Sequence, residues 1–269
     1  MGILKGLKRT FNIAGSKIAV VLEDEVYSQF DLIRGEVVVT APEYELIGNA
    51  INLELKEFWT EIMLTRTSVT TVTVHKTHVE VVLQGAIDFE PGSQHRFSFE
   101  VGLPENCRIS TSHTGWRLVV TMDIPNAIDP TEGVVLEVQP AEEFLAIIEV
   151  CEESLRFQER EKSRLWNPDS CRTYFRLLPP EMLKQELDYL AFEMSQAEDG
   201  SVEGDLIFNL QEKSIADYFK AILGKDKIRK HFHLASSQLY HQDGSVRSDD
   251  ISLVIGRALK DVMIDRRNQ

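Results

Sequence analysis

The stretch Gly115-Trp116-Arg117-Leu118-Val119-Val120-Thr121-Met122-Asp123-Ile124-Pro125 decides the fold class. Trp116, Leu118, Val120, Met122 and Ile124 fall on one side of an extended chain, and Arg117, Thr121 and Asp123 on the other. A period of two marks a strand with one buried and one solvated face. The pattern repeats toward the N-terminus. Ile51-Asn52-Leu53-Glu54-Leu55-Lys56 alternates in the same way, as do Phe97, Phe99, Val101 and Leu103 with Ser98, Glu100 and Gly102. Segments 16–23, 34–40 and 69–83 are rich in β-branched residues and read as further strands. Turn residues separate them at Ala41-Pro42, Glu90-Pro91-Gly92, Leu103-Pro104-Glu105-Asn106 and His113-Thr114-Gly115. Many short strands between regular turns predict an antiparallel sandwich.

Toward the C-terminus, Ile124-Pro125-Asn126-Ala127-Ile128-Asp129-Pro130 holds two prolines within six residues. Proline donates no N–H and stops ladder and helix alike, so the joint between two domains is placed at 126–130. The expected division is an N-terminal segment (1–14), a first sandwich (15–128), a second sandwich with one helix (129–241) and a helical tail (242–269). A strand at 134–138 opens the second domain, and a helix follows over 141–157. Pro140 suits its first turn, Glu142 and Glu143 complement its dipole, and Phe144, Ile148, Cys151 and Leu155 form its apolar stripe. Strands resume at 171–178, 185–194, 202–210 and 228–234, with a hairpin turn at Glu198-Asp199-Gly200-Ser201 and a short helix at 215–223. Ser248 can cap a last helix with Asp249 and Asp250 in its first turn. Its stripe of Ile251, Ile255, Leu259 and Val262 is too apolar to stay in water. That helix is expected to dock on its own chain or on a sister subunit, the second case giving a homo-oligomer. The fold class is mainly all-β: two antiparallel β-sandwich domains with a few short peripheral helices.

Lys+Arg 29 against Asp+Glu 43 gives a net charge of −14 over 269 residues. Such a surface repels phosphate backbones, so nucleic acid is not an expected partner. The three cysteines, Cys107, Cys151 and Cys171, are odd in number and make no C-x-x-C, which suggests neither a disulfide framework nor a zinc ribbon. No apolar run approaches the ~20 residues of a membrane span, and the first residues lack a signal-peptide core. A cytoplasmic protein is expected.

Phosphate-binding loops, dinucleotide fingerprints, nucleophile elbows and His-Glu-x-x-His are all missing from the sequence. No catalytic residue, cofactor or metal is therefore assigned. His231 and His233 share a strand face at metal-ligand spacing, but Arg229 and Lys230 beside them oppose a cation. His75 and His78 are three apart on a strand, hence on opposite faces, and read as surface residues. Trp116 reads as a core or hinge aromatic, with a ligand platform as the alternative. Asp123 lies near the joint, where it can pair with Arg34 or Arg117 or stand exposed beside a turn. These four are the candidate hinge residues. At the N-terminus, Ile3, Leu4, Leu7 and Phe11 fall at helical spacing with Lys5, Lys8 and Arg9 interleaved. In an acidic chain this basic amphipathic stretch is the place for an anionic membrane surface or an acidic partner, the alternative being a helix laid on the first sandwich.

Gly15-Ser16-Lys17-Ile18, Arg34-Gly35-Glu36-Val37 and above all the stretch 115–125 resemble the bacterial sporulation-control family, sporulation stage zero protein M. So does the sequel, from Asp129-Pro130 through Val138-Gln139-Pro140 to the helix ending near Leu155-Arg156-Phe157. The likeness runs from about residue 10 to 235 and is strongest around the tryptophan. It implies an arrestin-like pair of sandwiches, a cytoplasmic regulatory role and no catalytic residues. Where that family tends to carry an acidic residue and paired arginines, this chain reads Phe208-Asn209-Leu210-Gln211-Glu212-Lys213. The expected function is a non-enzymatic scaffold that binds other proteins. The alternatives are a peripheral membrane adaptor using residues 1–14, and a small-ligand protein or enzyme with a site near the hinge.

Overall fold

The computed structural model of the chain describes residues 8–64, 68–125, 133–160, 164–167, 170–211 and 227–267. The first strands are β1 (Lys8–Ile13), β2 (Ser16–Leu22), β3 (Val26–Ser28), β4 (Leu32–Thr40), β5 (Leu46–Gly48) and β6 (Ala50–Leu64). β7 (Val69–Gln84), β8 (Ile87–Phe89), β9 (Gln94–Gly102), β10 (Thr114–Asp123) and β11 (Gly133–Gln139) follow. Later come helix α1 (Glu142–Glu153), β12 (Gln158–Glu159), β13 (Leu165–Asn167), β14 (Arg172–Leu178), β15 (Leu187–Gln196), β16 (Val202–Leu210), β17 (Lys227–Leu234), α2 (Ser236–Leu239) and α3 (Ser248–Arg267). The fold is mainly β and mainly antiparallel, as the alternation predicts.

The chain divides into two compact units between Gln139 and Pro140. In the first, one sheet runs β1-β2-β4-β9 and the other β3-β11-β10-β6-β7, with β5 and β8 a separate pair. The two sheets share one core. Ile18, Val20, Leu22, Ile33, Val37 and Val39 come from the first sheet, and Ile51, Leu53, Leu55, Leu118, Val120, Met122, Val134 and Leu136 from the second. Fully burying each such side chain contributes about 1.5–3 kcal/mol. On the outer side of β10, Gly115 lies opposite Phe58, and a Cβ there would sit 2.6 Å from the ring. The aromatic therefore covers bare backbone at the head of the stretch that decides the fold.

Two expected boundaries move. The strand over 134–138 is β11, which belongs to the first unit because it pairs with β10 from Trp116↔Leu136 to Val119↔Gly133. Past Pro125 the chain returns to its own sheet as β11, and the division falls at Pro140. Most of the expected joint, 126–132, lies outside the described residues. The separate N-terminal segment is also corrected. Lys8 to Ile13 pair with Val21 to Ser16 as a strand, not a helix, so the first sheet starts at Lys8. Ala14 and Gly15 make the hairpin turn, with φ of 46° and 80°, the left-handed pair that a two-residue hairpin loop requires. Residues 1–7, and with them Ile3, Leu4, Lys5 and Leu7, lie outside the described residues.

In the second unit the described strands form one sheet, β12-β14-β15-β16-β17, with β13 beside β14. Phe175, Leu177, Leu190, Phe192, Met194, Leu206 and Phe208 are all fully buried on one face. The helices of this unit pack together and against β12 and β17. α1 ends at Glu153, four residues early, because Arg156 takes a φ of 62° and turns the chain back. Leu155 thus drops from the stripe, while Phe144, Ile148 and Cys151 are buried. α3 docks on α1, α2 and β17 of its own chain through Ile251, Ile255 and Val262, with Leu259 half-buried. The stripe offered for a homo-oligomer is therefore covered within the unit. The expected helix at 215–223 lies outside the described residues.

Candidate functional site

Charge enters the core of the first unit where β6 leaves it. Ile51, Leu53 and Leu55 point inward, and Glu57 continues their phase with only 6% of its surface exposed. β10 sets Trp116 directly opposite Glu57. β7 supplies His78 through a bulge, since Leu55 pairs with Val79 and Lys56 with Thr77, leaving His78 as the extra residue. A bulge re-aims a side chain in this way. The loop 103–113 supplies Arg108, and it is stitched to β11 by Ser110, whose N–H donates to the Val138 carbonyl at 2.7 Å and whose Oγ accepts from the Val138 N–H at 2.9 Å.

Glu57 Oε2 lies 2.9 Å from His78 Nε2, and Oε1 lies 2.8 Å from Arg108 Nε. Trp116 Nε1 donates to the Arg108 carbonyl at 2.7 Å, and the Trp116 and His78 rings lie 5.1 Å apart, tilted by 49°. The Arg108 guanidinium stands 4.3 Å from the Trp59 ring. A carboxylate this far from water is tolerated only with both oxygens engaged, and here both are.

A carboxylate on an imidazole is also two thirds of a nucleophilic triad. Cys107 is the neighbouring thiol. Burial, and then the charge of Glu57, push it up to about 12, so it stays protonated and inert as a nucleophile near neutrality. Among the described residues no group of three His, Cys, Asp or Glu is placed to hold a metal ion. The cluster's geometry is that of an anchor.

A second charged cluster sits on the opposite face of the second unit's sheet from Phe175, Phe192 and Phe208. Glu193, 5% exposed, accepts from Asn167 Nδ2 at 2.9 Å and from Arg229 at 3.0 Å. Asp205 beside it meets Arg172 at 3.3 Å and His231 at 3.4 Å. His231 and His233 do share a strand, but β16 places Asp205 and Glu203 directly opposite them. Reading one strand in isolation missed these carboxylates.

The third feature is an edge. Among the described residues β7 is the last strand of its sheet, and β10 stops pairing with β6 at Trp59. Above that point the β6–β7 hairpin is two-stranded and continues to Leu64↔Val69. Val69 to Thr73 are exposed along this arm, with Met63 and Val69 more than half exposed.

The candidate hinge residues separate. Trp116 is fully buried within the first unit's own core. Arg34 pairs with Glu100 at 2.6 Å on the surface, so it is not the partner of Asp123. Arg117 cannot reach Asp123 either, because six residues along one strand span about 20 Å. Its guanidinium instead lies 5.7 Å from the Phe58 ring. Asp123 is exposed and accepts from Asn49 at 3.0 Å. Of the N-terminal set, Phe11 is buried against Ile18 on β2, and Arg9 is exposed. His78 is the surface assignment that fails, since it is turned inward onto Trp116. Sequence reading also missed Glu57 and Arg108. Glu57 had a signal, a charge in the apolar phase of β6; Arg108, on an irregular loop, had none.

Among the described residues no helix is long and apolar enough to cross a membrane. No curated protein matches the chain. The crystal structure of Spo0M, sporulation control protein, from Bacillus subtilis is similar in fold: TM-score 0.66 at 18% identity, covering 92% of this chain and 99% of that one. The SpoOM protein family matches residues 4–212, more than half of the chain. The chain therefore belongs to the SpoOM family of sporulation-control proteins, a regulatory family.

Proposed function

We propose that this protein is a non-enzymatic cytoplasmic regulator that acts as a scaffold, binding other proteins through the free edge of β7. One observation carries the reading: a 16-residue edge strand, exposed along its upper half and free of proline and glycine. Such an edge presents unpaired N–H and C=O groups that an extended segment of a partner can satisfy by joining the sheet. The anchored character of the Glu57 cluster and the protonated Cys107 favour a scaffold over an enzyme. Three free cysteines suit a reducing compartment. A membrane adaptor is disfavoured, because Phe11 faces the core and is not available to lipid. A photo-crosslinking side chain placed at Thr73 is expected to trap discrete proteins in the native cell. Lysine at both Val72 and Val74 should abolish the adducts. No adduct, or adducts indifferent to the two lysines, would overturn the reading.

A further inference from the structure

We infer that the edge of β17 is a docking site for an acidic extended segment of a partner protein, which joins the second unit's sheet as a further strand. This surface lies in the other unit from the edge of β7, and it selects by charge.

Among the described residues β17 is the last strand of its sheet. Ile228, Phe232 and Leu234 share its inner phase, where Phe232 and Leu234 are buried and Phe232 packs edge-on against Phe192. The alternate positions Lys227, Arg229, His231 and His233 are all exposed, so every side chain of the outer phase is basic. From Lys227 to Leu234 there is no carboxylate. In a chain of net charge −14, that is a local reversal of sign along one backbone edge.

The molecule already shows what this row accepts. On the paired side, β16 sets Asp205 opposite His231 and Glu203 opposite His233. Asp205 lies 3.4 Å from His231 and 3.6 Å from Arg229, and Glu193 lies 3.0 Å from Arg229. Opposite charges set directly across a ladder are favourable. On the other side the same row faces no described strand. Arg229 makes both of its ion pairs through Nη1 and is more than half exposed. A guanidinium has five donors in a fixed fork, so it can hold a second carboxylate on its other side. Lys227 stands opposite Asn209, with no carboxylate directly across the ladder.

Charge also narrows the occupant. Lysines on an edge refuse most further strands. A second β17 would set the basic row against itself in any register, and like charges directly opposed are destabilising. A neutral strand would cover the row without compensating it. A strand with carboxylates at every second position meets the row from the side away from β16. Its backbone then satisfies the edge N–H and C=O groups. Its other face is apolar, because it continues the phase of Ile228 and Phe232.

The test uses the full chain and an acetylated, fluorescent peptide of alternating glutamate and valine, as long as β17. The peptide's anisotropy should rise on titration with the protein. Its affinity should fall as salt shortens the Debye length from about 10 Å at 0.1 M to about 3 Å at 1 M. Lys227→Glu should weaken binding roughly fivefold or more, and Lys227→Arg should not. Both should leave the far-UV circular dichroism spectrum unchanged, since residue 227 is exposed. N-methylation of the peptide separates strand addition from charge alone. Methyl groups on alternate amides remove the donors that face the edge in one phase, and those that face water in the other. One phase should abolish binding and the other should not. Three results each overturn the inference: a peptide that does not bind, binding indifferent to Lys227→Glu, or binding that survives both methylated phases. Val72→Lys with Val74→Lys in β7 should leave the peptide's affinity unchanged. Loss of affinity there would put the peptide on β7, overturning this inference while the reading of β7 as a binding edge stands.

Discussion

Glu57 and Glu193 are the two buried carboxylates among the described residues, and they are buried in opposite ways. Glu57 points into the core of its unit, and its partners Arg108 and His78 are themselves only 18% and 16% exposed. Glu193 points away from the core of its sheet, and its arginine, Arg229, is 55% exposed. Both carboxylates have both oxygens engaged, so a tally of contacts would rank them equal. Solvent does not. Around Glu57, losing a partner leaves a charge that water cannot easily reach. Around Glu193, water can replace the arginine as it leaves.

The largest expected effect breaks that comparison or upholds it. Arg108→Ala should destabilise the first unit by about 3–5 kcal/mol, the range for a buried charge stripped of its partner. Arg229→Ala should cost the second unit about 1 kcal/mol or less, as for an exposed pair. The units report separately in denaturant melts, because Trp59 and Trp116 belong to the first and Trp166 to the second. Equal losses would mean that burial of the partner does not matter here.

A middle-sized effect concerns the bulge. His78→Ala should cost about 1–3 kcal/mol, because it leaves one oxygen of Glu57 without its donor. His78→Gln keeps a donor at that place and should recover part of the loss. If Ala and Gln are equally damaging, the ring's packing on Trp116 outweighs the hydrogen bond. Thiol chemistry reads the same burial without mutation. Burial raises the thiols of Cys107 and Cys151, so both stay protonated at pH 8 and out of solvent. An alkylating reagent should label only the exposed Cys171 in the native protein, and all three cysteines after denaturation.

The first unit was the more legible half. Period-two alternation in β6, β9 and β10 gives the strands, their inward faces and the burial of Trp116. The division between units was misplaced because Pro125 and Pro130 look alike whether a chain leaves a domain or merely turns back to its own sheet. Only the pairing of β11 with β10 distinguishes them. The N-terminal strand was misread because Leu4, Leu7 and Phe11 fit a helical period, whereas Phe11 and Ile13 are positioned by the Ala14-Gly15 turn. Of the candidate site, Glu57 was visible as a charge in an apolar phase. His78 depends on a slip of alternation between Thr77 and Val79, and Arg108 on an irregular loop. Neither follows from periodicity.

The smallest expected change in stability carries the comparison to a third kind of site, one with no anchoring charge. Val72 on the β7 arm is 36% exposed and stands where the hairpin is two-stranded. Replacing it with lysine removes little buried area, so the cost should stay within about 0.5 kcal/mol, as for surface positions generally. Even so, the substitution places a charge on an otherwise unguarded edge, the device by which natural sheets refuse a further strand. Its effect should therefore appear in association and not in folding. Amide hydrogen exchange separates the two. In the wild type, protection of the amides from Val69 to Thr77 should rise on adding a protein that crosslinks at Thr73, while protection of the amides of β10 stays constant. In Val72→Lys the arm should exchange at its free rate whether or not that protein is present, with β10 unaltered. Protection of the arm that is high without it and indifferent to the lysine would mean that the edge is already satisfied within the chain, and that it is not a binding surface.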